Sequence, residues 1–246
     1  VIRKAIDEKK NVETKSSDID LVTETDKKVE ELLKAGFSSN FPDHCFIGEE
    51  SGGGKLTDAP TWIIDPVDGT LNFVHRFPYN AVSIGLAVNK QSVLGVVYNP
   101  VLDRMFTGIR GKGAFLNGKR LQVSNVQELS QALVITGCSK YGDMDQLFTN
   151  IKTIVDKAHG IRMMGSAALN MCTVAAGEAD AFFAYTIHCW DMAAGKIIVE
   201  EAGGTCIDSE GGDLDIMSRR VICSSSPALA KTLSRELKHI RCPRDE

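Results

Sequence analysis

Near the start of the chain, apolar residues recur at helical spacing. They are Val29, Leu32, Leu33 and Phe37. Thr23 and Asp26 precede them in the order of a capping box, in which the threonine hydroxyl accepts an N–H of the first turn and the acid three residues later accepts the N–H of the threonine. The pattern therefore predicts a helix that begins just after Thr23.

From residue 62 to residue 124 the apolar residues form short runs, rich in β-branched side chains. The segments "WIID" at 62–65, "AVSIGLAV" at 81–88 and "VLGVVY" at 93–98 are typical of strands. Asn117-Gly118 is a two-residue hairpin signal between two further apolar runs. This part of the chain is therefore predicted to form an antiparallel meander.

Beyond about residue 130, strand-like and helix-like segments alternate. The predicted strands are 131–136, 179–185, 204–208 and 219–225. The predicted helices are 143–158, 167–177, 191–204 and 226–240, the last with Ser226 as its cap and Pro227 at its first position. We expect an α/β protein in which a meander half (about 1–130) and an alternating half (about 131–246) form one compact domain, 1–246.

Composition narrows the class of protein. The chain has 246 residues, a net charge of −4 and no long basic run, so neither nucleic acid nor an anionic membrane surface is an expected partner. No apolar stretch reaches the length of a membrane span. Seven cysteines without a C-x-x-C pair argue against a disulfide framework or a zinc site and favour a reducing cytoplasm. Because the chain begins at Val1, we expect residues to precede it in the full protein.

Acidic residues stand at the ends of several predicted elements. They are Asp26, Glu49, Glu50, Asp65, Asp68 and Asp191. Each has a structural explanation when taken alone: Asp26 belongs to a helix cap, Asp68-Gly69 is typical of a turn, and Asp191 stands where an N-cap would precede the helix "MAAGKIIVEEA".

The pair Asp65 and Asp68 is harder to explain structurally. It follows an apolar strand, and Pro66 between the two acids redirects the backbone. Two carboxylates with the Val67 carbonyl make the set of hard oxygen ligands that Mg²⁺ prefers. A helix-like segment opens directly afterwards and offers N–H groups suited to a phosphate. The loop therefore predicts a site where metal and phosphate meet, which is typical of phosphoryl transfer.

Other catalytic signatures are missing from the sequence. It has no P-loop, no G-x-G-x-x-G match among its glycines, no G-x-S-x-G elbow and no H-E-x-x-H pair. His75 and His188 are isolated, and a structural role is the prediction for both. Trp62 and Trp190 are predicted to pack in the core beside the acids.

The segments "GEES", "WIIDPVDGTLNFVHRFP" and "WDMAAGKIIVEEAGG" together resemble the inositol monophosphatase family, with the two motifs D-P-x-D-G-T and W-D-x-A-x-G in the family's order. The resemblance runs from "KSSDIDLVTETD" to "DIMSRRVICSS". It implies a layered α-β-α-β-α sandwich of the sugar-phosphatase type, a homodimer, and a lithium-inhibited phosphomonoesterase that hydrolyses myo-inositol monophosphate with a metal-activated water.

The resemblance also implies two to three Mg²⁺ ions per active site and their ligands. Glu49, Asp65 and the Val67 carbonyl would hold the first metal. Asp65, Asp68 and Asp191 would hold the second, with Asp191 placed at the end of a distant strand. Glu49 would also face a third metal through water.

The same resemblance assigns the reacting groups. Gly69 and Thr70 would bind the phosphate through backbone and hydroxyl donors. Asp26 would hydrogen-bond Thr70, and that pair would act with Glu49 to orient and deprotonate the attacking water. The structural and the catalytic explanations of Asp26 are compatible with each other.

The substrate side departs from the family pattern. Ser166 and Ala167 correspond to one substrate-binding loop, and Asp68 faces the same side. At the position seven residues before Asp191, where inositol phosphatases typically carry an acid for substrate hydroxyls, this chain has Ala184. Tyr185 or Thr186 is a possible replacement.

Three hypotheses remain open from the sequence. The leading one is an inositol phosphatase acting on a small phosphorylated polyol. The second keeps the chemistry and exchanges the substrate for another sugar or nucleotide phosphate, such as 3′-phosphoadenosine 5′-phosphate or fructose 1,6-bisphosphate, and Ala184 favours it. The third is a non-catalytic metal-binding scaffold, against which the complete acid set argues.

Overall fold

A computed structural model describes residues 1–8, 12–14, 21–52, 54–138 and 142–245. The segment 15–20, where the family resemblance begins, lies outside the described residues, as does Gly53 of the glycine-rich loop.

Helices and strands are numbered along the chain. The helices are α1 (Ile2–Ala5), α2 (Glu24–Asn40), α3 (Thr70–Val74), α4 (Met144–Lys157), α5 (Ala167–Ala175), α6 (Cys189–Glu201) and α7 (Pro227–Glu236). The strands are β1 (Val12–Thr14), β2 (Leu21–Thr23), β3 (Cys45–Gly48), β4 (Thr61–Asp68), β5 (Ala81–Val88), β6 (Gln91–Asn99), β7 (Arg104–Ile109), β8 (Gly113–Leu116), β9 (Lys119–Arg120), β10 (Leu133–Thr136), β11 (Gly160–Met163), β12 (Ala181–Tyr185), β13 (Thr205–Ile207) and β14 (Arg220–Ser224).

The larger sheet is the predicted meander, which is confirmed. Its strands lie in the order β3-β4-β5-β6-β7-β8-β9, and every pair is antiparallel except β3 and β4. Between β8 and β9, Asn117 and Gly118 both have positive φ, as the hairpin signal predicts. Strands β1 and β2 pair antiparallel with each other, and β2 leads into α2.

The smaller sheet is built from the alternating half. Its order is β11-β10-β12-β14-β13, with β10 parallel to both of its neighbours and β14 antiparallel to both of its own. Each predicted element of this half is present, including the cap at Ser226 and the first-turn position of Pro227 in α7. Two points differ from the prediction: α6 begins at Cys189 and not at residue 191, and β11 was not predicted.

The two sheets and the helices stack in five layers. Helices α1 and α2 cover one face of the larger sheet, where Ile2, Val29 and Phe73 pack on Val67. Helices α5 and α6 fill the space between the sheets in the main hydrophobic cluster. Helices α4 and α7 cover the far face of the smaller sheet. The predicted α-β-α-β-α order is confirmed.

A row of glycines seats α6 on the larger sheet. Gly85, Gly95 and Gly108 are consecutive cross-strand partners on β5, β6 and β7. A β-carbon at Gly85 would lie 2.8 Å from that of Ala193, and one at Gly95 or Gly108 would meet the helix backbone itself. The helix therefore lies as close to the sheet as main-chain atoms allow.

The remaining structural expectations concern cysteines and membranes. All seven cysteines lie within the described ranges and are free thiols, as predicted. Among the helices of the described segments, none is long and apolar enough to cross a bilayer. Trp62 is buried and stacks on Phe37, 4.1 Å between ring centroids, which confirms its packing role.

Candidate active site

The end of β4 brings two acids to one place. In a regular strand, residues three apart point to opposite faces. Here the pairing of β4 with β5 shifts register between Asp65 and Asp68, at the point where Pro66 has no N–H to donate. The N–H of Val67 turns back instead to Asp65 Oδ1, 2.9 Å away. This irregularity lets both carboxylates face the same buried site.

Asp191 joins them from α6. The helix begins at Cys189 with His188 as its N-cap, so the predictions that Asp191 is an N-cap and that it ends a strand are wrong. It lies in the first turn, where its Oδ2 accepts the backbone N–H of His188 at 2.6 Å. The helix begins earlier than the apolar periodicity indicates. The reason is that the Asp191 carboxylate of the W-D motif accepts the backbone N–H of the cap residue, His188.

The three carboxylates form one cluster. One oxygen each of Asp65, Asp68 and Asp191 lies within 4.8 Å of the others. Burial, followed by the charges of Glu49, Asp68 and Asp191, raises the pKa of Asp65 well above its ordinary value. Burial and the charge of Asp68 do the same to the pKa of Asp191. Clustered acids of this kind repel one another unless a cation compensates them, and their oxygens are the donor type that Mg²⁺ prefers.

Asp68 differs because the protein supplies it with donors. Its carboxylate accepts the Ser166 hydroxyl and the N–H groups of Ala167 (3.1 Å) and Ala168 (2.8 Å) at the start of α5. Burial raises its pKa to about 6, and these three hydrogen bonds oppose the rise. The residues predicted to line the substrate side, Ser166 and Ala167, thus contact Asp68 directly.

The opposite wall of the site belongs to α2. Asp26 accepts the N–H and hydroxyl of Thr23, which confirms the capping box, and its other oxygen lies 3.2 Å from Thr70 Oγ1. Thr70 Oγ1 is also 2.9 Å from the Val67 carbonyl, so one hydroxyl proton serves two acceptors. Burial raises the pKa of Asp26, and the nearby Glu49 charge adds to the rise.

Glu49 follows β3 and extends its pairing with β4. Its N–H donates to the Ile64 carbonyl at 3.2 Å, which places it beside Asp65. The charge of Glu49 contributes to the raised pKa of Asp65. Gly69, at a φ of 85°, caps α3, and Thr70 is the first residue of that helix. The structure therefore gathers Asp26, Glu49 and Thr70 around the acid cluster.

Several contacts of the site were missed by sequence reasoning. Ser83 is the cross-strand partner of Asp65, and its hydroxyl donates to the Trp190 carbonyl at 3.0 Å. Asp245 accepts the N–H of Cys189 at 3.0 Å and contacts His188 Nδ1 at 2.9 Å. These side chains hold the start of α6. In the sequence only Ser83 carries a signal for such a role, because it is a polar residue in an otherwise apolar strand.

Ala184 lies on β12, 5% exposed, within the main cluster between the sheets. The hydroxyl of Tyr185 points to the other face of its sheet, where it lies 3.2 Å from the Lys238 carbonyl. Thr186 Oγ1 donates to the Tyr185 carbonyl at 2.6 Å. Neither neighbour supplies a carboxylate in place of the alanine.

Comparison with known proteins assigns the family. The sequence profile of the inositol monophosphatase family matches residues 1–241. The chain belongs to the inositol monophosphatase family. Inositol monophosphatase 1 of Bos taurus is 50% identical to it over the whole of this chain and 92% of its own length. The resemblance carried by the two motifs is confirmed, and the chain is an inositol-phosphate phosphatase by family.

Solved structures of this family share the fold. The extragenic suppressor protein suhB of Bartonella henselae has a TM-score of 0.89 at 34% identity, covering 96% of this chain and 92% of that one. A staphylococcal inositol monophosphatase-1, solved as an inhibitory complex after soaking in LiCl, has a TM-score of 0.85 at 26% identity, covering 96% and 88%.

Proposed function

We propose that this protein is a Mg²⁺-dependent phosphomonoesterase that hydrolyses myo-inositol monophosphate to inositol and phosphate and is inhibited by Li⁺. The observation that carries the proposal is the convergence of three carboxylates, of which Asp65 and Asp68 are buried and Asp191 is partly buried, next to Glu49 and Thr70. Their raised pKa values call for a cation. The name of the bovine relative supports the substrate, and the staphylococcal lithium complex supports the inhibition.

The proposed metal ligands are those that the family resemblance implies, and the cluster of Asp65, Asp68 and Asp191 supports the second set. Glu49, Asp65 and the Val67 carbonyl would hold one Mg²⁺, and Asp65, Asp68 and Asp191 a second. A third ion would face Glu49. Bound divalent cations lower the pKa of water and neutralise charge on a transferring phosphoryl group.

The remaining residues prepare the reactants. Thr70 donates a hydrogen bond to Asp26. As a water held near Glu49 gives a proton to Thr70 Oγ1, the threonine's own proton would pass to Asp26, so that the water attacks as hydroxide and its proton ends on Asp26. Gly69 and Thr70 orient the phosphate through their N–H groups. Ser166 and Ala167 hold Asp68 and border the space for the polyol. The site therefore works mainly by positioning and by charge.

A second substrate class stays open because of one observation. Ala184 offers no acceptor to a polyol hydroxyl, and its partner across the sheet, Val221, is also apolar. A site that lacks such an acceptor loses discrimination among hydroxylated substrates. 3′-Phosphoadenosine 5′-phosphate and fructose 1,6-bisphosphate are the alternatives on which we expect measurable turnover.

A substrate panel tests the proposal. Phosphate release from myo-inositol 1-phosphate, 3′-phosphoadenosine 5′-phosphate and fructose 1,6-bisphosphate is measured with and without Mg²⁺ and Li⁺. We expect the highest kcat/KM on the inositol ester, no turnover without Mg²⁺, and inhibition by Li⁺. Turnover that is equal in excess chelator contradicts the metal requirement, and no turnover on any ester together with no Mg²⁺ binding by calorimetry contradicts the enzyme altogether.

The homodimer and the cytoplasmic location belong to the same proposal. Light scattering of the purified protein would give twice the chain mass of 26.7 kDa if it is a dimer. Cell fractionation of the full-length protein checks the location. A monomeric mass or a membrane-bound fraction would contradict the respective prediction.

A further inference from the structure

Glu30 is a buried carboxylate that the proposed reaction does not use. It lies on α2 one turn after Asp26 and is 3% exposed. Its Oε2 accepts the N–H of Glu50 at 2.8 Å, and its Oε1 accepts the N–H of Ser51 at 3.0 Å. Hydrogen bonds to an ionised carboxylate are short and strong, so two successive amides on one carboxylate fix the backbone that carries them.

The residue on the other side of Glu49 is fitted to the same carboxylate. A β-carbon at Gly48 would lie 2.7 Å from Glu30 Cδ and from both of its oxygens, inside any normal contact distance. Glycine is therefore needed for Glu30 to reach the loop. Glu49 therefore lies between Gly48, which makes room for the Glu30 carboxylate, and Glu50 and Ser51, whose N–H groups donate to that carboxylate.

Lys34 closes this contact toward solvent. Its Nζ lies 3.6 Å from Glu30 Oε1 and 2.6 Å from Ser51 Oγ. Asp26, Glu30 and Lys34 follow one another at four-residue intervals, so they share one face of α2. Asp26 contacts Thr70, and Glu30 and Lys34 bind the segment after Glu49. One face of α2 therefore determines the positions of Thr70 and of that segment.

We propose that Glu30 is a positioning residue that holds Glu49 at the metal site by binding the amides of Glu50 and Ser51. The proposal rests on the proposed function, because Glu49 is a metal ligand only in that reaction. Side chains that orient a ligand in this way typically change metal affinity or activity about 10- to 100-fold when they are replaced.

The first experiment compares E30Q with E31Q. The two residues are neighbours on α2, and Glu31 is exposed, so the second variant controls for loss of charge. Glutamine keeps the shape of Glu30 but turns one acceptor into a donor that faces a backbone N–H. We expect E30Q to raise the Mg²⁺ concentration for half-maximal activity about 10-fold or more. E31Q should match the wild type.

The second measurement does not depend on turnover. In the metal-free protein, NMR hydrogen exchange at the Glu50 and Ser51 amides should accelerate in E30Q and stay unchanged in E31Q. Calorimetry of Mg²⁺ binding should show the same order of affinities as the kinetics. Protected amides and a wild-type Mg²⁺ dependence in a folded E30Q would overturn the proposal.

A double variant separates this contact from a general loss of stability. The methyl group of G48A would displace the Glu30 carboxylate, whereas E30A vacates that space. We expect G48A/E30A to be no worse in Mg²⁺ affinity than E30A alone, since residues in contact are not additive. If the losses of Mg²⁺ affinity in G48A and E30A simply added in the double variant, the proposal would be contradicted. A wild type without Mg²⁺-dependent turnover would instead refute the proposed function, and the amide exchange would still decide what Glu30 holds.

Discussion

Two aspartates flank the register shift of β4, Asp65 and Asp68, and they lie in opposite environments. Asp68 receives a hydroxyl and two backbone N–H groups at the start of α5. Asp65 accepts the N–H of Val67 and otherwise faces the carboxylates of Glu49, Asp68 and Asp191. One acid is held by the protein, and the other is left among like charges.

The difference shows how a buried acid pair can be both ordered and reactive. Donors on Asp68 hold its orientation whether or not a cation is present. Asp65, which belongs to both proposed metal sets, has no such compensation, so its charge becomes stable only with a cation nearby. Replacing Asp65 and replacing a donor to Asp68 should therefore change activity by different mechanisms and by different amounts.

The largest effect is expected at the uncompensated acid, Asp65. D65N removes the charge shared by both proposed metals, so we expect phosphatase activity to fall by more than ~100-fold, beyond what replacing a supporting residue costs. The matched control is D58N, which changes an exposed aspartate in the connection before β4. Turnover of D65N within a few-fold of the wild type at saturating Mg²⁺ would contradict the assignment, and D191N is expected to behave like D65N.

The next effect concerns the stability of the metal-free protein against pH. A carboxyl whose pKa is raised by folding binds its proton more tightly in the folded state than in the unfolded state. Its contribution to the free energy of unfolding is therefore complete below about pH 4, and it is lost as the pH rises through the folded-state pKa. For Asp68 that window runs from 3.8 to about 6. We expect the metal-free protein to lose about 2 kcal/mol of unfolding free energy between about pH 4.5 and about pH 7 through this group.

Thermal or urea unfolding in chelator checks that prediction. Mg²⁺ should remove most of the pH dependence, because a bound cation replaces the proton. D65N should flatten the metal-free profile, since it relieves the repulsion in the cluster. A metal-free protein that is more stable in neutral buffer than in mildly acidic buffer would show that other groups dominate.

The smallest effect is expected at the compensated acid, Asp68. S166A removes one of three donors to Asp68 and leaves both N–H groups, so we expect the half-saturating Mg²⁺ concentration to rise by at most about 10-fold. S226A is a matched control, because both serines cap a helix by accepting an N–H three residues on. Both variants should lose about 1 kcal/mol of stability, but only S166A should change the Mg²⁺ dependence. If S166A and S226A had the same Mg²⁺ dependence, the proposed difference between Asp65 and Asp68 would be contradicted.

Sequence reasoning found the elements because local signals specify them. The Thr23–Asp26 box, the Asn117-Gly118 turn and the Ser226-Pro227 start all depend on residues a few positions apart. The start of α6 was predicted too late because the Asp191 carboxylate, and not apolar spacing, determines it. The layer order came from the family resemblance and not from periodicity.

The candidate site was predicted only as far as its motifs reach. The sequence predicts a strand that ends at Asp65 and a loop after it, but β4 continues through Pro66 to Asp68. The two acids meet because the register against β5 shifts between them. Ser83 and Glu30 escaped detection because each acts through a backbone group far along the chain, at Trp190 and Glu50. Such contacts depend on tertiary register, which one sequence does not encode in any short pattern.

The glycine row under α6 has a consequence for heat and pressure. Contacts between long side chains loosen on warming as rotamers exchange, whereas the nearest atoms that α6 presents to Gly85, Gly95 and Gly108 are an alanine β-carbon and main-chain atoms, which have no rotamers to populate. We therefore expect the distance from Asp65 and Asp68 to Asp191 to change little with temperature or pressure. A single methyl group at Gly95 would act as a wedge and widen the cluster of acids without touching any of them.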